Sequence, residues 1–269
     1  MDILMIGKIW DQVTKEAMDA CQNEPLLANY VTSCVLNHDS FESSLGFILA
    51  QKISTDFVPL YEVKNLFIDA FHSSPIIIES AAHDLKAAYE RDPAVCSYLT
   101  AILHLKGYQS IQVHRLAHFL WHQKKQEIAL FIQSRNAEIF SVDIHPGCEM
   151  GKGIMFDHAT GIVIGETSII EDNVSIMQQV TLGGTGNDQG NRHPKIRSGV
   201  LISTGAKVLG NIEIGEGAKI GAGSVVLNDV KAHTTVVGVP ARVAGKPASL
   251  SPAETMQQNF LEDKPELKK

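Results

Sequence analysis

Residues 196–226 read Ile196-Arg197-Ser198-Gly199-Val200-Leu201, Ile202-Ser203-Thr204-Gly205-Ala206-Lys207, Val208-Leu209-Gly210-Asn211-Ile212-Glu213, Ile214-Gly215-Glu216-Gly217-Ala218-Lys219, Ile220-Gly221-Ala222-Gly223-Ser224-Val225, Val226. An aliphatic residue opens every group of six. Working upstream, the same period runs through Ile164, Ile170, Ile176 and Leu182, and after a two-residue slip through Ile144, Met150, Phe156 and Ile162. In a chain that is 44% hydrophobic, fourteen apolar leaders have odds of roughly one in a hundred thousand by chance. Four positions after a leader stands a small or β-branched residue, as at Ser168, Val174, Val180, Val200, Ala206, Ala218 and Ser224. Glycine follows the leader at Gly151, Gly165, Gly183, Gly215 and Gly221, where a tight corner is expected to need it. Such a unit cannot bury its apolar row alone, so successive turns must stack into a solenoid. A sandwich of short strands would need hairpin turn signals, which the strict sixfold spacing lacks.

This hexapeptide repeat resembles that of the left-handed parallel β-helix acyltransferases. The left hand comes from the resemblance, since general crossover rules give the opposite one. The segment from Gly183 to Lys195 is too polar and glycine-rich for a solenoid wall and reads as an extruded loop. Before about residue 141 the period is helical: Ile9, Trp10, Val13, Ala17 and Ala20 fall on one face, as do Leu45, Ile48, Leu49 and Ile53, with Ser43-Ser44 as a candidate cap. Pro75 suits the first turn of a helix through Ile78, Ala81, Leu85 and Ala88. Asp92 before Pro93 belongs in a short link to the next helix. The expected fold class is α+β, with a helical domain over 1–140, a β-helix over 141–245 and a flexible tail over 246–269, where Pro, charges and Gln-Gln dominate.

Composition narrows the partners. A net charge of -7 over 269 residues argues against nucleic acid or an anionic membrane surface. The apolar stretches are too short to span a bilayer, and the N-terminus lacks the form of a signal peptide. Cys21, Cys34, Cys96 and Cys148 are widely spaced with no CxxC pair, which fits a reduced, cytoplasmic chain.

The motifs narrow the resemblance further. Asp143-Ile144-His145-Pro146-Gly147, Phe156-Asp157-His158-Ala159-Thr160-Gly161, Gly165-Glu166-Thr167, Val180-Thr181-Leu182-Gly183-Gly184-Thr185-Gly186 and Arg192-His193-Pro194-Lys195-Ile196 are similar to the serine O-acetyltransferases. So, in the helical half, are Tyr89-Glu90-Arg91-Asp92-Pro93-Ala94 and His114-Arg115-Leu116-Ala117-His118. The resemblance implies transfer of acetyl from acetyl-CoA, as co-substrate with no permanently bound cofactor, to L-serine, the first step of cysteine synthesis, with L-cysteine as feedback inhibitor. It makes His158 the general base and Asp143 the group that orients its ring. It assigns the substrate ammonium to Asp92 and Asp157 and the carboxylate to Arg192, with His193 close to the reacting hydroxyl. The residue types suit these tasks: imidazole titrates near neutral pH, acids hold a cation, and a guanidinium fork matches a carboxylate. The resemblance also implies a CoA groove bounded by Gly184, Thr185, Thr204, Gly205, Ala222 and Gly223. Lys219, Arg242 and Lys246 could meet its phosphates, or could simply be exposed. It implies trimers joined into hexamers through their helical halves.

Rival readings are weaker. The stripe His114, His118, His122 has metal-binding spacing, but Arg115 stands where a zincin has Glu, so packing is preferred and no metal is expected. The γ-carbonic anhydrases need an HxxxxH pair in the coil, which this chain lacks. A sugar or antibiotic acyltransferase would not need the long helical half, and a purely structural coil would not need Asp143 with His158. Cys148 occupies a small-residue position and reads as packing, so direct attack is expected rather than an acyl-enzyme. One departure concerns O-acetylserine sulfhydrylase: many family members end in isoleucine for that partner, whereas this chain ends Glu266-Leu267-Lys268-Lys269. A tail lacking that apolar anchor is expected to bind the sulfhydrylase weakly or not at all.

Overall fold

Helical spacing of apolar residues winds the first half of the chain into α1 (Ile3–Asn23), α2 (Ala28–Val31, continued by a π-helical turn), α3 (Phe41–Ile53), α4 (Leu60–Ser73), α5 (Ile76–Arg91), α6 (Tyr98–His104), α7 (Lys106–His122) and α8 (Gln126–Phe140). This is a computed structural model, and it describes residues 3–186 and 189–259. Ser40, not Ser43-Ser44, caps α3: its side chain accepts from the Ser43 amide at 3.3 Å, while Ser44 turns inward to Cys34 O at 2.8 Å. A capping oxygen must precede the helix to reach its free amides, and only Ser40 has the extended backbone for that. Pro75 opens α5, and Asp92 ends it. Among the described residues no helix is long and apolar enough to cross a membrane.

From Val142 the chain coils into a three-sided parallel prism. The first face stacks Val142–Ile144, Ile162–Ile164, Thr181–Gly183, Lys207–Leu209 and Val225–Val226. The second stacks Glu149–Met150, Ile169–Ile170, Lys195–Ile196 and Glu213–Ile214, and the third runs from Met155–Asp157 to Thr235–Val237, closed by an antiparallel strand, Arg242–Gly245. The hexapeptide leaders pair in register and fill the interior: Ile170 with Ile196, Ile176 with Ile202, Val208 with Val226. Of the fourteen leaders only Met150 is less than fully buried. Two insertions lengthen the winding. Ile144 pairs with Ile164, two residues further on than the later step from Ile164 to Leu182, and the surplus is taken up in the corner at 158–161. Leu182 then pairs with Val208, because the polar loop leaves the coil between them.

The repeat glycines act differently from the expectation. Gly151, Gly165, Gly183 and Gly215 do not have left-handed backbone; the left-handed corner residues stand three places after a leader, as at Gly205 (φ 72°) and Gly223 (φ 66°). The glycines after leaders serve close approach instead, as when a Cβ on Gly151 would lie 2.4 Å from Asp172 Oδ1 and 2.8 Å from its amide nitrogen. The tail also departs from expectation. Pro252–Thr255 forms α9, Ala253 is fully buried, its amide donates to Gly199 O at 3.2 Å, and its carbonyl accepts from Ser175 Oγ at 2.8 Å. Through Asn259 the tail therefore lies along the edge between the second and third faces, where its carbonyls find donors despite its polar composition. Residues 260–269, with the terminal lysines, lie outside the described residues, as do Asn187 and Asp188 of the loop.

Helices and coil meet at a buried charge. Asp84 is fully buried; its Oδ2 accepts from Arg115 Nε at 3.1 Å, Arg115 Nη2 at 2.7 Å and Gln112 Nε2 at 3.0 Å, and its Oδ1 accepts from the Ile154 amide at 2.8 Å. Arg115 also donates to the carbonyls of Met150 and Gly151 in the first coil. Close by, a Cβ on Gly107 would stand 2.0 Å from Phe156 O, so only glycine lets the start of α7 touch the coil. Asp84→Ala strands the Arg115 guanidinium without its counter-charge. It is expected to lower unfolding free energy by about 3–5 kcal/mol, measured by urea denaturation. The double change Asp84→Leu/Arg115→Met should lose less, because no unpaired charge then remains buried.

Candidate functional site

His158 occupies the corner between the third and first faces, where the surplus residues bulge outward. Both His158 (φ 55°) and Ala159 (φ 60°) are left-handed, a conformation that costs a non-glycine residue about 1–2 kcal/mol. The bulge is held by the Gly161 amide on Ser141 O at 2.7 Å and by the Lys106 ammonium on Thr160 Oγ1. The His158 side chain is 74% exposed, with Nε2 3.8 Å from Asp157 Oδ1. Asp157 and Asp92 line a cleft of about 400 Å³ between the coil and the α5–α6 link, together with Val95, Tyr108, Phe156 and His158. Burial pushes the Asp157 carboxyl up, His158 opposes this, and the neighbouring Asp92 adds to it. Two acids facing one partly apolar cleft have the chemistry to receive a cation. Asp92 is held in place by its own turn, Oδ1 accepting from the Ala94 amide at 2.9 Å.

Arg192 and His193 stand at a different edge, between the first and second faces, where the extruded loop returns. Arg192 Nη2 donates to Glu166 Oε2 at 2.7 Å, and the pair draws the Glu166 carboxyl down. His193 is buried, its ring lying against Gly165: a Cβ there would sit 2.1 Å from ring Cδ2 and Nε2. Burial, Arg192 and Lys195 hold its imidazolium form down. Lys195 Nζ ties the loop base by donating to Thr167 O at 2.6 Å and His193 O at 2.8 Å. His145, its ring edge-on to Trp121, and Glu166 complete this edge.

Within one chain the sequence candidates thus fall into two groups. His158, Asp157 and Asp92 share one edge with the stacked turns of Thr204-Gly205 and Ala222-Gly223, whose backbones follow each other by Gly205 N to Gln178 O at 2.9 Å and Gly223 N to Thr204 O at 2.8 Å. Arg192 and His193 share the other edge with Gly184, which lies against Arg192, and with Thr185, which lies against Gly210. Asp143 is on the first face between them, and its Oδ1 accepts from Gln133 Nε2 at 2.7 Å rather than touching His158. Arg242 and Lys246 are exposed. Lys219 is instead buried, with Nζ donating to Asn259 O at 3.0 Å. Cys148 is fully buried at a corner, and burial raises its thiol well above the usual range, so it is packing. The histidine stripe packs ring to ring, with His118 Nδ1 on Pro146 O at 2.8 Å. Sequence reasoning missed Glu166 and Thr167 as partners of Arg192 and His193; their place in the Gly165-Glu166-Thr167 motif was the available signal.

The serine acetyltransferase N-terminal family matches residues 9–113, and the bacterial transferase hexapeptide family (six repeats) matches residues 193–228. A serine acetyltransferase of Escherichia coli (strain K12) is 49% identical over 252 residues, covering 94% of this chain and 92% of its own. A serine acetyltransferase crystal structure from Vibrio cholerae O1 biovar El Tor is 50% identical with a TM-score of 0.93, covering 94% of this chain and 98% of that one. A serine acetyltransferase in complex with cysteine is 47% identical (TM-score 0.92, 94% and 98% covered), and one in complex with CoA is 48% identical (TM-score 0.84, 88% and 98% covered).

Two outcomes follow from this geometry. Gly165→Ala must push the His193 ring from its seat, and a displacement of that size is expected to cost on the order of 10²-fold in turnover while circular dichroism stays unchanged. Asp157 has a folded-state pKa above its unfolded one, so its contribution to stability is present at low pH and lost as pH rises. Asp157→Asn removes that loss: it should raise the melting temperature at pH 8 without ligand, leave it unchanged near pH 3, and weaken amine binding. A lower melting temperature at pH 8 would contradict the assignment.

Proposed function

The chain belongs to the serine acetyltransferase family, and from that premise we propose how its residues divide the transfer of acetyl from acetyl-CoA to L-serine. Asp92 and Asp157 bind the substrate ammonium, whose charge relieves the repulsion between them. Arg192 binds the carboxylate through its planar fork, and His193 stands at the reacting oxygens. His158 removes the proton as the serine hydroxyl oxygen attacks the thioester carbonyl carbon. The tetrahedral intermediate collapses with cleavage of the carbon–sulfur bond, and the proton passes from the imidazolium to the leaving CoA sulfur. Asp143, which does not touch His158 within one chain, orients the imidazole across the seam between protomers and stabilises its charged form. The products are O-acetyl-L-serine and CoA. L-Cysteine carries the same ammonium and carboxylate, competes for the same groups, and acts as feedback inhibitor.

The observation that carries this reading is the division of the ligands between two edges. A three-residue strand at about 3.3 Å per residue keeps those edges on the order of 10 Å apart before corners are counted, too far for one serine to join Asp157 to Arg192. The site is therefore assembled between copies: the His158 edge of one protomer faces the Arg192 edge of the next, in a cyclic trimer. The CoA groove runs down the same seam, with Thr204, Gly205, Ala222 and Gly223 on one side and Gly184 and Thr185 on the other. Trimers pair through their helical halves into a hexamer. The four free thiols suit the reducing cytoplasm.

His158→Ala should lower kcat by at least ~10²-fold, and Asp143→Asn by less, because it leaves the imidazole in place. Each of His158→Ala and Arg192→Ala is expected to be inactive alone. Refolded together in equal amounts they should regain roughly a quarter of wild-type activity, the share of seams that pair two intact edges in a random mixture. No recovery would show that each site is built from a single chain.

A further inference from the structure

Thr167 sits beneath the His193 ring with every hydrogen-bonding direction of its hydroxyl used. Thr167 Oγ1 accepts from the Arg192 amide at 3.0 Å and from the His193 amide at 3.1 Å. A hydroxyl oxygen has two lone pairs, so with both occupied it cannot accept a third proton. Its 2.9 Å contact with His193 Nδ1 must then be donation from Thr167 to the ring. The backbone agrees, since the Thr167 amide also points at Nδ1, at 3.2 Å, and an amide can only donate. A proton on Nδ1 would meet two donors head-on. Nδ1 is therefore the bare nitrogen, and the neutral ring carries its proton on Nε2, which makes no hydrogen bond among the described residues. The interchange of ring atoms that would reverse this puts a carbon against both donors. Gly165 completes the seat by letting the ring lie flat.

We infer that Thr167 is a positioning residue that locks His193 as an Nε2–H hydrogen-bond donor, so that it polarises a reacting oxygen and cannot serve as a second general base. This rests on the reading above that His193 stands at the reacting oxygens. The same hydroxyl holds the Arg192 and His193 amides where the loop rejoins the coil, so one side chain sets both the tautomer and the local backbone.

The test is nitrogen-15 NMR of the histidine rings in the intact protein at pH 8, with the His193 signals assigned by their loss in His193→Gln. Wild type should show one tautomer with bare Nδ1. T167V, which keeps the shape and removes the hydroxyl, should shift His193 toward mixed tautomers and lower kcat by about 10-fold or more with less change in KM for acetyl-CoA; T167S should restore most of both. His193→Gln, whose amide can donate from near the Nε2 position, should keep more activity than His193→Asn. A protonated Nδ1 in wild type, or an unchanged tautomer in T167V, overturns the lock. A changed tautomer with unchanged turnover upholds the lock and instead removes His193 from the reacting oxygens.

Discussion

The carboxylate of Asp84 is a full charge at zero solvent exposure, and the molecule is organised by the need to satisfy it. In a medium of low dielectric such a charge is tolerated only when its lone pairs are filled and a counter-charge is close. Arg115 and Gln112 from α7 and the Ile154 amide from the coil do this together. Three elements from distant parts of the chain are thus held to hydrogen-bond tolerance. The consequence reaches the site. Arg91, one residue before Asp92, is anchored on Ser175 Oγ at 3.1 Å and Asn173 Oδ1 at 3.3 Å, so the end of α5 cannot drift from the coil. Asp92 is presented to Asp157 by that anchorage.

The coil itself supplies regularity, and the candidate site residues sit where regularity stops. A hexapeptide wall repeats the same backbone at every level and offers little more than small side chains and peptide groups. His158 stands in the corner that absorbs two surplus residues, at the cost of two left-handed non-glycine residues. Arg192 and His193 stand where the extruded loop rejoins the coil. The first departure lifts His158 clear of the wall and the second seats His193 against it, while the levels on either side hold each base rigid. Local strain of this kind survives only because the stacked neighbours over-determine it.

Much of this was legible beforehand, and the misses share a cause. The sixfold row of aliphatic leaders announced the coil, and the three-and-four spacing announced the helices, because both are properties of one segment's own backbone period. The motif around His158 marked it as the candidate base. The cap of α3 was misplaced by three residues, since serines on either side of a helix start look alike until backbone angles separate Ser40 from Ser43. The glycines after leaders were assigned to tight corners, yet they are required by atoms of other segments, Asp172 for Gly151 and His193 for Gly165. Lys219 was expected among exposed or phosphate-binding lysines and is instead covered, with the tail meeting its ammonium. A polar tail reads as loose in sequence, while carbonyl and amide partners on the coil hold it.

From the sequence alone come the architecture and the list of candidate groups. A repeat of apolar positions encodes its own winding, and a base, two acids and a guanidinium name the ligand they suit. The grouping comes from the folded chain: which acid faces which across a cleft, which edge each candidate residue occupies, and which partners meet the His193 ring. Those are distances between residues far apart in the chain, fixed by the buried Asp84 contact and by the places where the coil is interrupted, and no local pattern carries them.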